Sequence, residues 1–283
     1  VETSDDRPTV LRVQHFSKRY DRLTAVDDLS FEARAGEILG VVGPNGAGKT
    51  TTLRSIAGVL PVASGVISIL GHDLASEEAA AKLALRWIPD DPQPFEALTV
   101  DEHLEFTAAL YRCRDWRAQA EALLERFELK EKRDALGGEL SRGMRQKLSM
   151  CCAWLGEPRL VLLDEPLSGL DPRGIRSAKQ AIVELAGRGC AVILSSHLLE
   201  LIEELATRLL ILDRGRPAFV GTLDEARAAF PVHQRGSLEE IFFAATGADA
   251  RRPEAAAQRE TPPPSSPPSL PPSLPPSELQ PPV

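Results

Sequence analysis

The chain has 283 residues, 43% of them hydrophobic, with a formal net charge of −8; this suits one large α/β domain, or one domain with appendages, and provides enough apolar material for a core. The acidic balance argues against a nucleic-acid partner, which needs a basic face. No apolar run approaches the ~18–20 residues that span a bilayer, and the polar stretch Val1–Arg7 shows neither signal peptide nor anchor, so a cytosolic protein is expected.

Val10–Val13 and Leu29–Glu32 read as β-strands separated by a loop. Glu37–Val42 is a short apolar run suited to a buried parallel strand, and Thr51–Ala57 reads as a helix. Between them Gly43, Pro44, Asn45, Gly46, Ala47, Gly48, Lys49 and Thr50 spell G-P-N-G-A-G-K-T. A glycine-rich turn from strand to helix points backbone N–H groups inward as an anion nest, and the helix N-terminus adds partial positive charge. Gly46 and Gly48 let the backbone approach phosphate, Lys49 can reach the outer phosphates, and the Thr50 hydroxyl is placed to ligate Mg2+. The flanking elements favour nucleotide binding over a chance glycine-rich turn.

Residues 65–70 read as a further strand ended by Gly71, and the pattern is helical from Thr99 to about Phe127, with a capping signal at Thr99. A long helix starts near Ser141. Strands Arg159–Leu163 and Cys190–Leu194 flank a helix from Pro172 to about Arg188, a βαβ unit that makes the sheet largely parallel. Residues 207–220 read as a hairpin turning at Arg214-Gly215, and a last helix covers Leu238–Ala245. From Thr261 to Val283 eleven of 23 residues are proline; such a tail forms no core and should be extended, and its P-x-x-P is weak evidence for a docking ligand. The four cysteines, at 113, 151, 152 and 190, form no C-x-x-C pair or metal-ligand spacing, and adjacent Cys151 and Cys152 should pack as small apolar side chains.

About 115 residues beyond the phosphate loop, Asp164 and Glu165 close the apolar run Leu160–Leu163. Ligands of open parallel sheets sit at the carboxyl ends of strands, so Asp164 is placed to hold Mg2+ and Glu165 to deprotonate a water attacking the γ-phosphate. Ser141 and Gly143 open another helix and can offer a hydroxyl and N–H groups to an anion. One chain then carries two phosphate-binding helix ends and one phosphate loop, which a symmetric dimer resolves. His197 follows the next strand at the same edge of the sheet, where it could contact the γ-phosphate and the attacking water.

Taken in order, these pieces resemble the ATP-binding subunit of an ABC transporter over about residues 8–246, with a helical subdomain at about 90–155 and a disordered proline-rich tail at 247–283. The resemblance implies a P-loop NTPase α/β fold: a mainly parallel sheet, an N-terminal antiparallel β part, and a helical subdomain carrying the ABC signature. Gly43–Thr50 and the following Thr51 are similar to Walker A, and Leu160–Glu165 to Walker B with its catalytic glutamate. Leu140–Met144 resembles the signature, Ser168–Asp171 the D-loop, and His197 the switch histidine. Tyr20 matches the aromatic residue that stacks on adenine. ATP and Mg2+ are the implied cofactors, with a second copy and a separate integral membrane permease as partners. That would place the chain on the inner face of the membrane. The stretch 92–96 and the helices after it would form the docking face. Arg142–Lys147 and Ser237–Gly247 look more like exporter-type ATPases than nutrient importers. The alternative is a soluble ABC ATPase that drives assembly of another complex, such as iron–sulfur cluster machinery.

Two positions depart from the family pattern. Asp90 stands where the family usually has glutamine; it can still ligate Mg2+ as a hard oxygen donor, but its charge changes how occupancy is sensed. Arg142 stands at the first signature glycine, where it either adds positive charge beside the partner's triphosphate or points to solvent.

Overall fold

The first strands show what alternation the sequence had hidden. In the computed structural model, which describes residues 6–230 and 236–247, β1 (Thr9–Tyr20) and β2 (Leu23–Arg34) pair antiparallel. Both run well beyond the short segments expected from sequence. Their registers shift between Val13 and Phe16 and between Phe16 and Lys18, with His15 and Asp28 at left-handed φ of 51° and 53°. Such bulges break the two-residue period that marks a strand, which is why residues 14–20 had read as a loop.

β3 (Ile38–Val42) is buried at every position, as a strand covered on both faces must be. It feeds α1 (Lys49–Ile56) through the glycine-rich turn. β4 (Val66–Ile69) and β5 (His72–Asp73) follow, then α2 (Glu78–Leu83) and β6 (Leu85–Ile88). The expected helix over 99–127 is two helices, α3 (Val100–Leu110) and α4 (Trp116–Arg126). Arg112 and Asp115 take left-handed φ of 54° and 49° and break the run; neither is the glycine that normally announces such a turn. α5 (Arg142–Trp154) is capped by Ser141, whose Oγ accepts from the Met144 N–H at 3.3 Å.

β7 (Leu160–Asp164), α6 (Pro172–Gly187) and β8 (Ala191–Ser195) form the expected βαβ unit. Proline suits the first turn of α6, where its missing N–H would have no partner. α7 (Leu199–Leu205) leads to the hairpin β9 (Arg208–Asp213) and β10 (Arg216–Gly221), and α8 (Leu223–Ala229) and α9 (Leu238–Thr246) complete the described chain. The proline-rich stretch from residue 248 onward lies outside the described residues. No helix among the described residues is long and apolar enough to cross a membrane.

The strands form a four-stranded antiparallel sheet, order β2-β1-β4-β5, and a six-stranded sheet, order β10-β9-β3-β8-β7-β6, parallel except for edge strand β10. Alternate residues of the larger sheet feed two cores. Leu160 and Leu162 join β1, β2 and α1 in one, and Val161 and Leu163 join α3–α6 in the other. The connection between adjacent strands β6 and β7 is the helical region containing α3, α4 and α5.

Candidate functional site

The turn after β3 is shaped by two glycines that no other residue could replace. A Cβ on Gly43 would lie 2.5 Å from the Leu212 carbonyl oxygen, and one on Gly48, at φ 101°, would lie 2.5 Å from that of Ala25. Gly46, at φ 80°, faces open space with nothing within 4 Å, the room a phosphate needs. Lys49 opens α1, and its Nζ donates to the carbonyl oxygens of Gly43 at 2.6 Å and Pro44 at 3.2 Å. Burial lowers the Lys49 pKa, while the charges of Glu165 and Asp164 pull it up. No acidic residue occupies the first turn of α1, so its positive end is unopposed.

This turn forms one wall of a cleft of ≈ 470 Å³. The cleft brings together Tyr20, Asn45, Gly46, Ala47, Gly48, Lys49, Thr50, Thr51, Asp90, Asp164 and Glu165. Asp164, at the end of β7, is 3% exposed; burial raises its pKa, and the Thr50 and Ser195 hydroxyls act the other way. The Ser195 Oγ makes no well-formed hydrogen bond, so its effect on Asp164 is one of proximity. Among the described residues no group of three or more His, Cys, Asp or Glu forms a metal cage. The oxygen donors of Thr50, Asp164 and Asp90 suit Mg2+, which takes one or two carboxylates and draws its other ligands from phosphate and water.

Glu165 has φ 49°, and its N–H donates to the Ser195 carbonyl at 2.9 Å. Its carboxylate is gripped by the loop after β8: Oε1 accepts from the His197 N–H at 2.7 Å, and Oε2 accepts from Ser196 Oγ at 3.0 Å. His197 Nδ1 lies 2.8 Å from the same Oε2. The two residues therefore form one unit at the end of adjacent strands. Ser196 was missed in the sequence, although it immediately precedes His197.

Ser141 and Gly143 do not line this cleft. The start of α5 packs instead on the loop after β7. A Cβ on Gly143 would lie 2.6 Å from the Gly169 carbonyl oxygen, and Gln146 Nε2 donates to the Pro166 carbonyl at 2.9 Å. Arg142 neither points idly to solvent nor stands alone. Its Nη2 donates to Ser168 Oγ at 2.9 Å and lies 3.4 Å from Asp90 Oδ1. Arg54, Asp91 and Ser195 also line the cleft, and sequence reasoning had not singled them out.

Among the described residues, two other sizeable concavities lie away from this cleft. One of ≈ 940 Å³ opens at the opposite ends of the strands, beside Arg112, Arg126, Arg159 and Arg188. Three of these follow or end α3, α4 and α6, where cations offset helix dipoles. The other, ≈ 300 Å³, is an apolar groove lined by Pro92, Gln93, Phe95, Phe106 and Leu110. Phe95, Phe106 and Leu110 are 58%, 47% and 54% exposed.

The sequence pattern described as "ABC transporter" matches residues 26–168. The ABC-type transporter ATP-binding protein EcsA of Bacillus subtilis (strain 168) is 32% identical over 244 residues, 86% of this chain and 98% of that protein. The Nod factor export ATP-binding protein I of Burkholderia pseudomallei (strain 1710b) is 37% identical over 205 residues, 72% of this chain and 67% of its own. A solved structure of an ATP-binding subunit of an ABC transporter matches with a TM-score of 0.81 and 33% identity, covering 84% of this chain and 99% of that one.

Proposed function

The chain belongs to the ABC transporter family of ATP-binding proteins, ATPases by chemistry, and on that premise we propose that it energises export through a separate membrane-spanning permease. The observation that carries the chemistry is the single cleft in which the phosphate turn, Asp164 and Glu165 meet. In this reading residues 8–246 are the ATPase unit, with about 90–155 as its helical subdomain. Tyr20 stacks on adenine, and the N–H groups of the 43–51 turn cradle the phosphates. Lys49 leaves the Gly43 and Pro44 carbonyls for the outer phosphates. Thr50, Asp164 and Asp90 hold Mg2+, which when bound offsets phosphate charge. Glu165 accepts a proton from the attacking water, and His197 fixes its carboxylate and contacts the γ-phosphate. Catalysis is then mainly positioning and charge stabilisation.

Two copies complete the arrangement. Ser141 and Gly143 lie outside their own cleft, which supports a dimer in which they close over nucleotide held by the second copy. The apolar groove at Phe95, Phe106 and Leu110 supports a permease docking there, and so a location on the cytoplasmic face of the membrane. Export rests on likeness to the Nod factor export protein.

The test uses Glu165→Gln. Turnover should fall about 10²–10⁴-fold, the worth of a general base, while ATP binding persists and a nucleotide-bound dimer accumulates on size exclusion. Pulled from detergent-solubilised native membranes with ATP, this variant should bring a multi-span protein in matching amounts. Ordinary turnover would remove Glu165 as base, and recovery of soluble proteins alone would favour an assembly ATPase.

A further inference from the structure

The loop after β6 and the first turn of α5 meet through two charge pairs. Arg142 Nη2 approaches Asp90 Oδ1 at 3.4 Å, and Arg145 Nη2 approaches Asp91 Oδ1 at 3.8 Å. Residues three apart on a helix share a face, so α5 presents two guanidinium groups to two consecutive carboxylates. Asp91 is fixed further by Gln93 Nε2, which donates to its Oδ2 at 2.7 Å. Arg142 also reaches across to the loop after β7. Its Nη2 donates to Ser168 Oγ, and its methylene groups pass 3.4 Å from where a Cβ of Gly169 would sit.

The charge around the cleft gives this clasp a purpose. Asp90, Asp91, Asp164 and Glu165 line it against Lys49 and Arg54, before any polyanionic nucleotide enters. Arg142 does not line the cleft, and of the two residues its guanidinium contacts, Asp90 lines it and Ser168 does not.

We propose that Arg142 is a positioning residue for the nucleotide cleft of its own subunit: it holds the Asp90 carboxylate turned to its guanidinium before ATP arrives. The proposal rests on the reading of the cleft as the ATP site. Asp90 and Arg142, the two departures from the family pattern, then explain each other. The start of α5 is thereby tied to the loops after β6 and β7 within one subunit. Both partners are about half exposed, 51% and 54%, so water screens the pair and its effect is about two- to fivefold.

The experiment is a double-mutant cycle read by equilibrium binding of a fluorescently labelled ATP in EDTA, with dilute protein at about 0.15 M ionic strength, where the direct Coulomb reach of Arg142 is about 8 Å. Arg142→Gln should raise Kd about two- to fivefold, because the Asp90 carboxylate is then free to turn toward the phosphates. Arg142→Lys should bind nearly as the unaltered chain does. In an Asp90→Asn background Arg142→Gln should change nothing, since Arg142 acts through Asp90. An equal effect in both backgrounds, or none in either, overturns the proposal. Lys49→Ala keeps the two readings apart. Undiminished labelled-ATP binding in that variant sinks the cleft as the ATP site, whereas lost binding together with an additive cycle sinks only the clasp.

Discussion

Asp164 ends β7 and is 3% exposed. Burial raises its pKa, so the folded chain holds that proton more tightly than the unfolded chain does. Its contribution therefore becomes more favourable as pH falls through the raised folded pKa, and above that pH the buried charge costs stability. Asp164→Asn should raise Tm by about 2–4 °C at neutral pH, the shift for ~1 kcal/mol in a domain of this size. The gain should vanish in acid, where the natural carboxyl is itself protonated. Scanning calorimetry at two pH values checks this, and a lower Tm at neutral pH would mean that the Thr50 and Ser195 hydroxyls outweigh burial. A group retained at such a cost is expected where a cation has to be held.

At the scale of elements, local chemistry decides what the sequence discloses. Thr99 forms a full capping box with Glu102: its Oγ1 accepts from the Glu102 N–H at 3.2 Å, and its own N–H donates to Glu102 Oε2 at 2.7 Å. Thr99→Ala should cost about 1 kcal/mol and lower Tm by about 2–4 °C with α3 still formed, as thermal melts followed by circular dichroism would record. An unchanged Tm would show that packing of α3 on α5 alone sets that boundary. Such caps, the Pro172 start of α6 and the Arg214-Gly215 turn are local signals, and all could be seen in the sequence. The break between α3 and α4 could not, because Arg112 and Asp115 adopt left-handed angles without glycine. The 14–20 stretch of β1 was hidden by its bulges. Within the site, residues next to the glycine turn or at strand ends were legible from position alone. The contact of Arg142 with Asp90 was not, since it joins residues 52 apart in the chain and depends on how α5 packs.

For the whole molecule, strand order is what assembles the cleft. The phosphate turn follows β3, His197 follows β8, and Asp164 ends β7, three neighbours in the larger sheet. With ~4.8 Å between strands, the turn and Asp164 stand about 10 Å apart at the backbone, a gap for phosphate and cation to fill. The sheet and α5 should open only with global unfolding, and two thiols report on this. Cys151 and Cys190 are buried. Burial pushes both thiols up, that of Cys190 to about 12, so neither supplies thiolate near neutral pH. Iodoacetamide at pH 8 should modify them only at the rate of global unfolding, and all four cysteines promptly in denaturant, as mass spectrometry would show. Rapid native labelling would reveal local opening around α5 or β8.

The close approach of Gly143 to Gly169 has a consequence for genetics. Any side chain at 143 meets a carbonyl oxygen within its own subunit, so an inactive allele there does not by itself report on a second copy or its nucleotide. No substitution at 169 removes the obstacle, because it is the main-chain carbonyl of a residue that is already glycine. An allele at Ser141 separates the two causes only if the new residue is another capping type, because the Ser141 hydroxyl caps α5 by accepting from the Met144 N–H.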